Sequence, residues 1–145
     1  MIKAVVIRQI EEAWADVPYP GDENIFTPDS YDDEDIVNYF HSTTWRGHDP
    51  VALRAHSSAF TFFTPVAFHY WLPAFMIAAI ENPDEADVIL DYIPRSVSNQ
   101  YARERWLLFT ETQRNAVAAY LRFQIETFGD RVESEKALAI LESSI

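Results

Sequence analysis

The sequence predicts an all-α fold, a compact bundle of about five to seven helices around a kinked apolar central helix over Pro65–Glu81. Three observations lead there. Apolar residues recur at helical spacing in several separate stretches. Thr, Asn and Asp stand just before Pro, or three residues before Glu or Gln, where helices start. No run of strand length alternates convincingly between apolar and polar residues. The 145 residues suit a single domain, 1–145, long enough to bury a core without metal or disulfide staples.

In chain order, Val6, Ile10, Ala13, Trp14 and Val17 share one side of a helical wheel while Arg8, Glu11 and Glu12 lie elsewhere. This first amphipathic helix ends before Pro18. Pro18, Pro20, Gly21 and Pro28 make 18–30 an irregular loop of a length that is usually functional or mobile, and it carries Asp22, Glu23 and Asp29. Asp32, Asp33, Glu34 and Asp35, followed by Ile36, Val37, Tyr39 and Phe40, read as a helix whose first turn is loaded with carboxylates complementing the macrodipole. Asp49 and Pro50 form an N-cap and first-turn pair for a short helix over 51–56.

Thr64 then caps a helix opening at Pro65, with Phe63 placed to staple onto Phe68. This helix is apolar on nearly every face and so belongs in the core. Pro73 inside it removes a hydrogen bond and crowds the carbonyl of His69, which predicts a kink. The stretch between Arg54 and Glu81 has no charge and is long enough to span a membrane, but Pro65, Pro73, Thr64 and His69 interrupt it. A buried helix is the reading, with no membrane partner. Asn82, Pro83 and Glu85 open a further helix that Pro94 is expected to stop.

Thr110 with Gln113 is a capping box for a long helix that buries Ala116, Val117, Tyr120, Leu121 and Phe128 before Gly129 ends it. A last helix over 134–143 buries Leu138, Leu141 and Ile145. Residues 4–7 and 58–63 are rich in β-branched or aromatic types and also suit minor edge strands.

Charge is laid out unevenly. Of the net −12, residues 11–45 hold ten carboxylates and no Lys or Arg. By contrast, Arg95, Arg103, Arg105, Arg114 and Arg122 are interrupted only by Glu104 and Glu111. Counterion release on nucleic acid needs clustered cations, so a free nucleic-acid ligand is disfavoured and a basic protein partner is favoured. The absence of cysteine removes disulfides, thiolate nucleophiles and cysteine metal sites. Three glycines are too few for a phosphate-cradling loop. No apolar targeting stretch follows the start, which leads to the expectation of a cytoplasmic protein.

The run FFTPVAFHYWLPAFMIAAI at 62–80, with Trp45 upstream and FTETQRNAVAAYLRF at 109–123, resembles an uncharacterised family of small bacterial proteins with an F-L-T-P-x-A-F-x-Y-Y-L-P-A-type core. That family has no assigned activity, so the resemblance implies a fold and brings no catalytic residue.

Among candidate sites, His48, Asp49 and His56 are the first choice for a metal, but no histidine pair has i, i+4 helical spacing, so no metal or other cofactor is expected. The acids from Asp29 to Asp35 lack the glycine and closing glutamate of a calcium loop. Consecutive acids at a helix start point different ways, so no catalytic pair is marked. Trp45 reads either as a core indole or as an exposed anchor, the core being the commoner place for Trp. The partner-binding candidates are Tyr19, Asp22, Glu23, Phe26, Asp29, Tyr31, Asp32, Asp33, Glu34, Asp35 and Trp45. The expected function is protein binding, as an immunity-type inhibitor that neutralises a bacterial toxin through this acidic surface. Behind it stand a small metal- or carboxylate-dependent hydrolase and, third, a nucleic-acid-mimicking inhibitor. Aromatic-rich helices pair across a dimer as readily as within a monomer, which leaves the oligomeric state open.

Overall fold

Three helices start where the caps at Asp49, Thr64 and Thr110 predict them. The computed structural model describes residues 2–28, 30–32, 35–99, 103–129 and 132–144. In chain order these form α1 (Lys3–Trp14), α2 (Ile36–Phe40), α3 (Pro50–Ala55), α4 (Ala59–Phe62), α5 (Pro65–Glu81), α6 (Pro83–Ala86), α7 (Ile89–Ser98), α8 (Arg103–Trp106), α9 (Glu111–Phe128) and α10 (Val132–Ser144). The all-α reading stands. The number of helices exceeds five to seven because α2, α3, α4, α6 and α8 are short pieces of four to six residues. Among the described residues no helix is long and apolar enough to cross a membrane.

The apolar α5 is the core. Trp71, Phe68, Phe75, Leu72 and Met76 on it are fully buried, and α1, α3, α6, α7 and α8 pack around it. α9 packs on α1, and α10 closes over α7 and α9. Thr64 caps α5 by accepting from the Ala67 N–H at 3.2 Å. The Thr110 and Gln113 capping box forms in full, with both reciprocal bonds present at 3.1 and 3.0 Å. Phe63, the ring before the first cap, stacks on Trp71 at 5.6 Å, deeper along the helix than Phe68.

Two prolines lie inside helices, Pro73 in α5 and Pro94 in α7. Each lacks an N–H and so releases the carbonyl four residues earlier. Both released carbonyls find a side-chain donor from another helix. The indole Nε1–H of Trp14 on α1 donates to the His69 carbonyl at 2.8 Å. The Nε2–H of Gln124 on α9 donates to the Leu90 carbonyl at 2.8 Å. This corrects the expectation that Pro94 stops its helix, because with Leu90 satisfied α7 continues through Pro94 to Ser98.

Gln124 is fully buried and uses its whole amide, since its Oε1 also accepts from Tyr120 Oη and its Nε2 also reaches Ser134 Oγ at 3.1 Å. Eleven residues earlier, three turns back on the same side of α9, Gln113 is also buried. Its Nε2 donates to the Ala13 carbonyl in the last turn of α1 at 3.1 Å. Its Oε1 accepts from His69 Nε2–H at 2.7 Å.

Other expectations are corrected. Residues 4–7 lie in α1 and 59–62 form α4, and the only β pairing among the described residues is an isolated antiparallel bridge between Phe26 and Phe63. Of the acids before Ile36, the described Asp32 and Asp35 do not occupy a helical first turn. α2 begins at Ile36, and Asp32 caps it from outside, its two carboxylate oxygens accepting from the N–H groups of Ile36 and Val37 at 2.7 and 2.9 Å.

Two outcomes are expected. Trp14→Phe leaves the His69 carbonyl without its donor and should cost about 2 kcal/mol by urea unfolding. Pro73→Ala supplies a new N–H to that carbonyl, so it should be better tolerated in the Trp14→Phe background than in the wild type, by about 1 kcal/mol. Simple additivity of the two changes would show that the indole is not the replacement donor.

Burial pushes the His69 pKa below the ordinary imidazole value, against the weaker opposing effect of the Gln113 acceptor. The folded ring is therefore neutral where the unfolded ring begins to protonate, so its contribution is present above about pH 6.5 and is lost as the pH falls below that. His69→Gln should flatten this part of the stability profile relative to wild type, and parallel profiles for the two proteins would contradict it.

Candidate partner-binding surface

The proline-rich loop is pinned to the core at both ends and in the middle. Tyr19 sets its ring edge-on against Tyr70 and Trp71, each at 5.8 Å. Ile25 is fully buried. Thr27 N–H donates to the Phe62 carbonyl at 2.8 Å and Thr64 N–H to the Ile25 carbonyl at 3.1 Å, which ties the loop to the junction of α4 and α5. Gly21 takes φ +99°, a conformation that strains residues with a Cβ, and so turns the chain into the 3₁₀ turn Asp22–Asn24.

Around that turn a closed ring of hydrogen bonds forms. Tyr19 Oη donates to Asp22 Oδ1 and accepts from the Ser42 N–H at 2.9 Å. His41 Nε2 meets Asp22 Oδ2 at 2.8 Å, and His41 Nδ1 meets Ser42 Oγ at 3.1 Å. Ser42 holds φ +58°, a left-handed conformation uncommon for serine. Burial against the aromatic wall, with the Asp22 bond, raises the Tyr19 pKa, so the phenol stays protonated and able to donate. Serine, histidine and aspartate thus meet in one chain, the residue types of a catalytic relay. The His41 and Asp22 side chains are 52% and 45% exposed, however, which is not the desolvated setting that tunes a working base.

Beside the loop lies an open apolar groove of about 470 Å³, walled by Val17, Tyr19, Pro20, Val66 and Leu108 with His69 among its lining. Leu107, next to it in sequence, is 76% exposed. Exposed Leu and Val beside one another on a charged protein are the type of patch that marks an interaction site.

The partner-binding candidates separate into three groups. Tyr19 walls the groove, and Asp22 and Glu23 lie on the turn that carries its lining residue Asn24. Glu23 is exposed, whereas Asp22 is shared by Tyr19 and His41. Tyr31 stands apart as the most exposed aromatic among the described residues, at 84%. Asp32 caps α2, and Asp35, exposed at φ +59°, accepts from Asn38 Nδ2 at 2.8 Å. Phe26 is half-buried and stacks on Phe62 at 5.4 Å, so its ring serves the fold. Trp45 is buried at 4% exposure with the Arg46 guanidinium over it at 4.0 Å, which makes it a core indole and corrects its use as an exposed anchor. Asp29, Asp33 and Glu34 lie outside the described residues. Val66, Leu107 and Leu108 are the residues that sequence reasoning missed. Val66 sits within an apolar helix, and the two leucines lie between helices, where apolarity alone does not tell an exposed residue from a buried one.

The metal candidates do come near one another, but their donors are used. His48 Nε2–H donates to the Thr44 carbonyl at 2.6 Å, and Nδ1 accepts from Tyr39 Oη at 2.8 Å. Both ring nitrogens are thereby engaged, and burial lowers the His48 pKa. His56 Nδ1 meets the Ala52 carbonyl at 2.7 Å while its ring stacks on Tyr39 at 4.3 Å. Asp49 caps α3 through Val51 N–H at 2.9 Å. Among the described residues no group of three or more metal-ligating side chains converges.

Neither the curated proteins nor the solved structures contain a match to this chain. One family profile matches it across residues 2–143, nearly its whole length, and the protein therefore belongs to DUF6714, a family of unknown function.

Proposed function

We infer that this protein acts by binding another protein, as an immunity-type inhibitor that covers a basic surface of a bacterial toxin. One observation carries the reading. An exposed apolar groove of about 470 Å³ adjoins an acidic loop, in a segment whose ten carboxylates have no Lys or Arg among them. The two parts have separate tasks. The carboxylates steer a cationic partner and speed its approach, an effect that salt screens. The groove of Tyr19, Val66 and Leu108 supplies desolvated area, which slows release.

The ring from Tyr19 through Asp22 and His41 to Ser42 supports the same reading. It holds the loop in one conformation before any partner arrives, so little ordering entropy is lost on association. The hydrolase reading has less support, because the histidines at 48 and 56 spend ring nitrogens on backbone and tyrosine partners.

The test is co-expression with a toxin encoded beside this gene, followed by co-purification and a cell-survival assay. Leu108→Asp should raise the dissociation rate by about tenfold or more. Glu23→Lys should lower the association rate at low salt and have little effect at high salt, and both variants should keep the wild-type melting temperature. A neighbour toxin that is neither bound nor neutralised would overturn the proposal. Equal binding by wild type and both variants would place the interface elsewhere and overturn this surface.

A further inference from the structure

We propose that a second pocket, built by α4, α7 and α8, binds a small organic oxyanion, its carboxylate or phosphate head on Arg95 and Arg105 and its apolar body against Phe60 and Tyr92. This pocket shares no lining residue with the groove beside the acidic loop, and the proposal does not rest on the toxin reading.

The pocket encloses about 390 Å³, within the range that small-molecule sites occupy. Its cationic content is unusual for a protein of net charge −12. Arg105 is half-buried, and its guanidinium lies 5.1 Å from the centre of the Phe68 ring. Nη1–H donates to the Phe60 carbonyl at 2.9 Å and Nη2–H to the Thr61 carbonyl at 3.4 Å. A guanidinium carries five N–H groups, so three remain after these two bonds. The backbone bonds therefore fix the plane of the fork without exhausting it.

Among the described residues neither Arg95 nor Arg105 takes part in an ion pair, although acids outnumber bases two to one in the chain, 23 to 11. Burial lowers the Arg105 pKa, which reflects the cost of holding that charge away from water. A half-buried cation that has been given backbone acceptors but, among the described residues, no counter-ion is suited to an anion that arrives from outside. Arg is the residue that recognises carboxylate and phosphate with two parallel hydrogen bonds.

The remaining walls limit the ligand. Phe60 and Tyr92, 5.9 Å apart between ring centres, give two aromatic surfaces. Thr61, Ser96 and Asn99 complete the rim. Ser96 Oγ is already committed to the Ile93 carbonyl at 2.6 Å, so it shapes the wall and leaves the arginines as the charged contacts. An inorganic ion would leave the aromatic walls uncovered, whereas a carboxylate on a ring or short chain would cover both.

The test is a titration of the full-length protein with sodium benzoate and, separately, sodium acetate, followed by backbone amide NMR shifts. Benzoate should shift the amides of 60–61, 92–99 and 104–106 in a saturable way, about tenfold more tightly than acetate. Arg95→Gln removes an exposed side chain that has no side-chain partner among the described residues, so it should keep the wild-type melting temperature and weaken benzoate by about tenfold or more. Arg105→Gln should abolish saturation, and Arg105→Lys should restore it only in part because the fork is lost. Linear shifts without saturation, shifts outside these residues, or an undiminished affinity in a folded Arg95→Gln protein would overturn the proposal.

Discussion

The bundle depends on two carbonyls that the helices carrying them cannot satisfy. Pro73 and Pro94 release the oxygens of His69, part-buried, and of Leu90, buried, and an unpaired carbonyl withdrawn from water costs about 1–3 kcal/mol. Trp14 and Gln124 answer them from α1 and α9. Each bond joins helices distant in sequence, and each has a direction, so it orients the helices as well as joining them. Apolar contact alone would let α1 slide or rotate on α5 at little cost. A single indole N–H that must meet a single carbonyl removes that freedom.

The same logic explains why α9 carries two glutamines on its buried side. Gln113 closes the capping box of its own helix, accepts a hydrogen bond from the His69 ring and donates to the open end of α1. Gln124 serves α7 and α10. A fully satisfied polar network in a core specifies one arrangement, because every displaced register would leave several groups unpaired at once. The two blocks of sequence at 62–80 and 109–123 are thus one physical object. They meet where the Phe109 ring packs on His69 at 4.7 Å and Gln113 bonds the same imidazole.

Much of this was legible in the chain, and the rest failed for identifiable reasons. The caps at Asp49, Thr64 and Thr110 are local chemistry and fall where their neighbours dictate. Pro94 was misread as a stop because its tolerance comes from a side chain thirty positions away, which no local rule contains. Asp32 was misread because a carboxylate in a helical first turn and one capping from outside have the same sequence signature. Whether Trp45 was core or surface turned on packing that forms only when the chain closes. The groove was invisible for the same reason, since Val66, Leu107 and Leu108 are exposed by the fold although their composition suits a core.

What the fold does to the acidic segment bears most directly on function. Charge is a property of composition, but availability is a property of structure. Asp32 is committed to α2 and Asp22 to the Tyr19 and His41 ring, so these carboxylates accept hydrogen bonds that hold the chain in place. Glu23, next to Asp22 on the same turn, is exposed, one residue before Asn24 of the groove wall. A carboxylate already bonded within its own protein gives a partner the field of its charge but fewer free lone pairs. A carboxylate left open gives both. The loop therefore combines a fixed scaffold with an available charge beside an apolar surface, and that combination, more than the net charge of the segment, gives this region the character of a binding surface.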